Sequence, residues 1–271
     1  MGVLLQAFFK TRPNHAVPAP VDGTGVKDWW WDRLAREAGD FARAGFTALW
    51  LPPVLKANGG QGRDVDGYGP FDDYDIGSKD QMGGNNTRFG SREQLCRLVA
   101  IARSFGLDIY LDLVLHQRSG DPGNFLFRYV NAAGTHAAGR FPKNRNDFFP
   151  NVPRDPDLGG PVADDIGFGR ELAPINGGTP RGATGEHLIA AAQWLVKSLD
   201  AQGARIDDVK GLSTDFLPRY LNSPALAGKF AVGEFFDGNA NLVAVSIRQT
   251  RLLPFSAYPV PGRVPGWLWG L

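Results

Sequence analysis

The sequence predicts an α/β protein on a parallel sheet, of the β/α-barrel kind, and three observations carry that expectation. Short apolar runs of strand length alternate with stretches of helical period. Acidic residues fall at the C-terminal ends of three of the later runs. Between residues 117 and 183 the alternation stops and then resumes, which marks an insertion rather than the end of the domain.

The elements can be taken in order. VLLQAFF (3–9) is a buried-type strand. Asp28 precedes a helical pattern of Trp31, Leu34, Ala35, Ala38 and Phe41 that stops at Gly45. Trp29, Trp30 and Trp31 are expected to pack this helix. FTALWLP (46–52) is a second strand, ended by Pro52 and Pro53. Ser91 and Gln94 form a capping box before Leu95, Leu98, Val99, Ala102 and Phe105, closed by Gly106. LDIYLDLVL (107–115) is a third strand. Such strands, separated by amphipathic helices, make βαβ units in a sheet covered on both faces. After the Gly-, Pro-, Asn- and Asp-rich stretch 117–183 come a helix at 186–202, a strand ARID (204–207), a weaker helix near 214–222, a strand KFAVGEFF (229–236) and a helix at 239–249. From 254 onward Pro, Gly and Trp dominate without period, apart from a sixth strand expected around FSAYPV (255–260).

Composition narrows the classes. With 29 basic and 28 acidic residues, the charge offers no basic surface for nucleic acid or anionic lipid. The single cysteine, Cys96, excludes an internal disulfide. No apolar run reaches membrane-spanning length, and the N-terminus MGVLLQAFFK lacks the basic n-region of a signal peptide. As written, the chain reads as cytoplasmic; a secreted parent remains open if the N-terminus is incomplete.

Asp112, Asp207 and Glu234 end consecutive strands, and in a parallel barrel that face holds the active site. Two carboxyls on neighbouring strands suit glycoside hydrolysis, in which one attacks as the anion and the other donates a proton. Arg205 lies two residues before Asp207 and so faces the same way. Its guanidinium is expected to lower the pKa of Asp207 and keep it ionised. Glu234, within the apolar AVGEFF, is expected to favour its neutral form. This assigns Asp207 as nucleophile and Glu234 as acid/base.

Four motifs in order then resemble the α-amylase superfamily of glycoside hydrolases: DGYGPFDDYDIG (66–77), DLVLHQ (112–117), GARIDDVKG (203–211) and VGEFF (232–236). The resemblance implies a (β/α)8 TIM barrel, here incomplete with about five to six βα units, and an inserted subdomain after strand three. It implies retaining cleavage of α-glucosidic bonds in starch- or glycogen-type glucans, with Asp207 and Glu234 catalytic. It also implies sugar contacts from Tyr68, Asp112, Arg205 and Lys210, and from His116 or Gln117. Transglycosylase or disaccharide-acting members, and a non-catalytic carbohydrate-binding remnant, stay open as alternatives. No organic cofactor is implied.

The departures are specific. His116-Gln117 stands where the superfamily has Asn-His, and Gly211 stands where it has His. The replaced Asn helps hold a structural calcium, and imidazole suits that oxygen-seeking ion poorly. Gly211 through its carbonyl, with Asp164 and Asp165, are the remaining metal candidates beside His116, so calcium stays open. No histidine is followed by Asp, so the superfamily's later His-Asp motif is missing. Without that group the rate is expected to fall by orders of magnitude. The expected organisation is therefore a first barrel part at 1–116, an insertion at 117–183, a barrel continuation at 184–253 and an irregular tail at 254–271. An interruption or frame shift near 252, with a non-native reading frame after it, would account for that tail.

Overall fold

A computed structural model of the chain describes residues 2–8, 29–60, 65–119, 129–131, 134–136, 143, 147–148, 165–166, 169–174, 183–209, 212, 216–235 and 253–255. Six strands form one parallel sheet: β1 (Leu4–Gln6), β2 (Ala48–Trp50), β3 (Asp108–Leu113), β9 (Gly203–Ile206), β10 (Phe230–Glu234) and β11 (Leu253–Phe255). Neighbours in the sheet follow chain order throughout, apart from the skipped insertion. A doubly wound sheet reverses its strand order at a switch point. A sheet that always adds the next strand on the same side is instead the arrangement of a β/α barrel, here incomplete.

Each helix forms for a local reason. In α1 (Trp30–Arg43), Trp31, Leu34, Ala35 and Ala38 recur on one face and are buried. The backbone leaves the helix through Gly45 at φ +92°, a conformation that costs glycine little. Trp31 is wholly buried and the Trp30 indole donates to the Ala7 carbonyl at 3.0 Å, so these tryptophans pack helix on sheet. The capping box of α2 (Arg92–Ser104) is complete, with Ser91 accepting from the Gln94 backbone and Gln94 accepting from the Ser91 N–H. The helices α3 (Ala183–Ser198) and α4 (Phe216–Leu221) contribute Leu188, Leu195, Phe216 and Leu217 to the same apolar core as the sheet. The helix expected at 239–249 lies outside the described residues.

At the start of β9, Gly203 is required by close packing. A Cβ there would meet the Phe230 carbonyl oxygen and the Tyr110 ring, each at 2.9 Å. The Tyr110 and Phe230 rings stack over it at 4.9 Å. The sixth strand begins earlier than expected, at Leu253, because its register is set by Val232–Glu234 of β10. Pro254 has no N–H to give, a deficit tolerated in the last strand of the described sheet order.

Between β3 and β9 lie β4 (Gln117–Arg118), β7 (Asp165–Ile166) and β8 (Gly169–Glu171) in one small antiparallel sheet, and the hairpin β5 (Tyr129–Asn131) with β6 (Gly134–His136). These strands are separate from the main sheet, as an insertion after the third strand requires. The loop after β2 is organised by Lys56, whose wholly buried ammonium donates to the carbonyls of Lys79, Gly84 and Asn85 at 2.5–2.7 Å and pairs with Asp75 at 3.1 Å. That frame carries Tyr68 toward the strand ends.

Candidate active site

The parallel register brings the strand-end residues together. Asp112 of β3 lies opposite Arg205 of β9, and Val232, two residues before Glu234, lies on the other side of Arg205. Asp112, Arg205 and Glu234 thus come from three adjoining strands, and Asp207 follows the end of β9 directly.

Arg205 is the hub. Its Nη1 donates to Asp112 Oδ1 at 2.7 Å and to Asp207 Oδ1 at 2.6 Å, and its Nη2 pairs with Glu234 Oε2 at 2.6 Å. Its guanidinium carbon sits 5.3 Å from the Trp50 ring centroid and 5.6 Å from that of Tyr68. Asp112 accepts from the Tyr68 hydroxyl at 2.9 Å and the Trp50 indole at 3.0 Å. Gln117 donates to Asp207 Oδ2 at 3.3 Å and to the Tyr68 carbonyl at 2.8 Å. The Asp208 N–H donates to Glu234 Oε2 at 3.3 Å. Asp112 and Asp207 are buried, and Glu234 is the most exposed of the three carboxyls.

The electrostatics correct the expectation about Asp207. One guanidinium faces three carboxyls, and it cannot neutralise them all. Burial, followed by the neighbouring Asp112 charge, pushes Asp207 up to about 7 against the pull of Arg205. Burial likewise pushes Asp112 up to about 6, against Arg205 and the hydrogen bonds from Tyr68 and Trp50. The two aspartates therefore titrate as a pair. Burial and the Asp112 charge raise the Tyr68 hydroxyl well above its ordinary value. Glu234 was expected in apolar surroundings, but its carboxylate lies instead on Arg205 and a backbone N–H.

The structure separates the two residues at the altered motif. Gln117 joins the cluster. His116 does not: its Nδ1 lies 3.1 Å from Asp208 Oδ2 and its Nε2 3.5 Å from Glu171 Oε1, with the ring buried. Burial would lower its pKa, but Glu171 and the charges of Asp208 and Asp207 raise it, favouring the imidazolium. A charged ring lodged between two carboxylates does not fit a calcium ligand, since it offers that ion no oxygen and already pairs with the nearby anions. Among the described residues no group of three His, Cys, Asp or Glu side chains could hold a metal ion. The other metal candidates, Asp164, Gly211 and the side chain of Asp165, lie outside the described residues, as does Lys210.

Two participants escaped the sequence reading. Trp50 reads as one more apolar residue of a buried run, and only its place at the end of β2, beside β3, could have flagged it. Asp208 sits at φ +38°, in a left-handed turn that aims its N–H at Glu234, and the Asp207-Asp208 doublet was the available signal.

Comparison with known proteins follows the same lines. No family model matches the chain. It is similar to an α-amylase of Geobacillus stearothermophilus, 26% identical over 90% of this chain and 53% of that protein. It is also similar to a glucan 1,4-α-maltohexaosidase of Bacillus sp. (strain 707), 34% identical over 54% of this chain and 24% of that protein. The fold resembles the crystal structure of an α-amylase from Geobacillus thermoleovorans complexed with acarbose, with a TM-score of 0.59 at 18% identity, over 86% of this chain and 47% of that one. An Anoxybacillus α-amylase gives a TM-score of 0.60 at 17% identity, over 92% of this chain and 50% of that one. The chain thus spans about half the length, or less, of these relatives. Among the described residues no helix is long and apolar enough to cross a membrane.

Proposed function

Because the chain belongs to the α-amylase superfamily, we propose that its strand-end cluster is the catalytic centre of a retaining glycoside hydrolase acting on α-glucosidic bonds of starch-type glucans. The observation that carries this reading is the shared guanidinium: Asp207 and Glu234 lie on its two terminal nitrogens, each at 2.6 Å. Two carboxyls so gathered can act on one sugar ring.

In this reading Asp207 attacks the anomeric carbon. Glu234 gives its proton to the leaving oxygen and then takes one from the water that frees the product. Arg205 and Gln117 hold the two Asp207 oxygens, so the attacking carboxylate keeps one orientation. Asp112 is a positioning residue that shares the guanidinium, and Tyr68 presents its ring beside it. Because Asp207 binds a proton up to about pH 7, the nucleophile gains its charge only near neutrality. Turnover per substrate encounter (kcat/KM) is expected to fall on the acid side of that value.

Reducing-end release from soluble starch, with the anomeric form of the new ends followed by NMR, tests the proposal. Asp207→Asn and Glu234→Gln should each lower the rate on the order of 10³-fold, and the products should appear first as the α-anomer. Glucan binding with no turnover that either variant alters would overturn the catalytic assignment and favour a carbohydrate-binding role.

A further inference from the structure

Tyr68 reaches Asp112 on a loop whose flanking segments both close on Lys56. Residues 56–58 run antiparallel beside 69–71: the Phe71 N–H donates to the Lys56 carbonyl at 2.8 Å, the Asn58 N–H donates to the Gly69 carbonyl at 2.9 Å, and Ala57 bridges Pro70. The Lys56 N–H donates in turn to the Asp75 carbonyl at 2.7 Å. From the same residue the buried ammonium meets five oxygens. They are the carbonyls of Lys79 at 2.5 Å, Gly84 and Asn85 at 2.7 Å and Gln81 at 3.4 Å, and Asp75 Oδ2 at 3.1 Å. Asp75 is itself fixed, since its other oxygen accepts from the Gly77 and Ser78 N–H groups at 2.9 Å. The 79–85 segment also presses on the strand pair at Gly60, which stands at φ +55° and where a Cβ would collide with the Met82 carbonyl oxygen.

We propose that Lys56 is a positioning residue for the reaction: by gathering these oxygens it fixes the loop so that the Tyr68 hydroxyl rests on Asp112. The role rests on the glycoside hydrolase reading of the strand-end cluster. A buried ammonium is costly unless it is paired and hydrogen-bonded, so its ring of oxygens admits few other arrangements of the loop. Tyr68 passes that order on to the carboxyls. Its N–H donates to Asp66 Oδ1 at 3.0 Å and its hydroxyl donates to Asp112 Oδ2 at 2.9 Å. Its carbonyl accepts at 2.8 Å from the Gln117 amide that also donates to Asp207. A displaced loop is therefore felt at Asp112 and Asp207 through Tyr68, and this separates positioning from mere support of the fold.

The test follows the Asp112 carboxyl by ¹³C NMR titration and the cleavage of soluble starch, in Lys56→Met, Tyr68→Phe and the double variant, at a temperature where all are folded. Lys56→Met keeps the length of the side chain but donates nothing to the ring, and its Tm should drop on the order of 10 °C. The bond from the Tyr68 hydroxyl draws the Asp112 pKa down, so Lys56→Met should raise the Asp112 midpoint as Tyr68→Phe does. Each single variant should lower kcat about tenfold. The double variant should be within about twofold of the slower single one, because both changes remove the same contact. A role confined to stability would lower the Tm and leave the midpoint and the kcat of the folded chain unchanged. That result, or losses of kcat that multiply, would overturn the proposal. Should the unmodified chain not cleave starch, the hydrolase reading fails, while the Asp112 midpoint still decides whether Lys56 places Tyr68. Should Lys56→Met fail to fold, Gly60→Ala crowds the 79–85 segment with the cation still in place and should raise the same midpoint; an unchanged midpoint there would equally overturn the proposal.

Discussion

Two buried ionic clusters in this molecule use the same kinds of residue to opposite ends. Around Asp73, one carboxylate meets two cations: Arg118 donates from Nε at 2.8 Å and from Nη2 at 2.5 Å, and Lys143 holds the other oxygen. Burial alone would raise the Asp73 pKa, yet Arg118 and Lys143 together hold it well below the usual carboxylate range. Around Arg205 the ratio is reversed, with three carboxyls on one guanidinium. There the aspartates are pushed up into the range where protons move at neutral pH. Asp73, Asp112 and Arg118 line one small cavity, so the two clusters are close neighbours in one fold. The surplus of positive charge makes a fastening that stays ionised. Burial, with the surplus of negative charge, makes a site whose aspartates keep a proton up to near-neutral pH, as acid–base chemistry requires.

The largest expected effect comes from breaking the fastening. Asp73→Asn leaves two buried cations facing each other and should cost about 3–5 kcal/mol, measured by urea unfolding at pH 7. A cost below about 1 kcal/mol would mean that the cluster is not buried as described.

The opposite sign is expected at the other cluster. Folded Asp207 binds its proton more tightly than the unfolded chain does. Its contribution therefore favours the fold below the ordinary aspartate range and is lost as pH rises through about 7. Asp207→Asn should accordingly stabilise the fold by about 1–3 kcal/mol at pH 8 and make little difference at pH 4. The same substitution should abolish most of the activity. Equal effects on stability at both pH values would contradict the account of surplus negative charge.

Smaller changes sharpen the comparison. Trp50→Phe keeps the ring but removes one donor to Asp112. It should cost about 1–2 kcal/mol and raise the midpoint of the Asp112 carboxyl resonance. Ser91→Ala, far from either cluster in the chain, removes one half of the α2 capping box. It should cost about 1 kcal/mol and leave the pH dependence of stability unchanged.

Much of this architecture was legible in the sequence because local signals and tertiary demands agree. The α2 boundary could be read from Ser91 and Gln94, whose side chains close the helix end by themselves. The strand-end carboxyls could be read because parallel strands in sequential order deliver their C-terminal residues to one rim. What could not be read was how the charges balance. Arg205 two residues before Asp207 suggested a private ion pair, whereas register places Asp112 and Glu234 on the same guanidinium. Burial of Asp207, together with the Asp112 charge beside it, outweighs Arg205 and reverses the direction of the Asp207 shift. Trp50 was invisible for a related reason: its indole N–H matters only because β2 lies beside β3. His116 and Gln117 are adjacent in sequence yet serve different neighbours, and only the turn from β3 into β4 separates them.

The claim on which the account turns is that the Arg205 cluster carries more negative charge than its one guanidinium can neutralise. A ¹³C NMR titration of the chain with its aspartate carboxyls labelled measures this directly. The account predicts two aspartate resonances with midpoints between about 6 and 7, one of which is lost and the other shifted when Asp207 is replaced by asparagine. If every aspartate titrates near the ordinary value of about 4, the three carboxyls are neutralised independently and the site does not hold its proton as described.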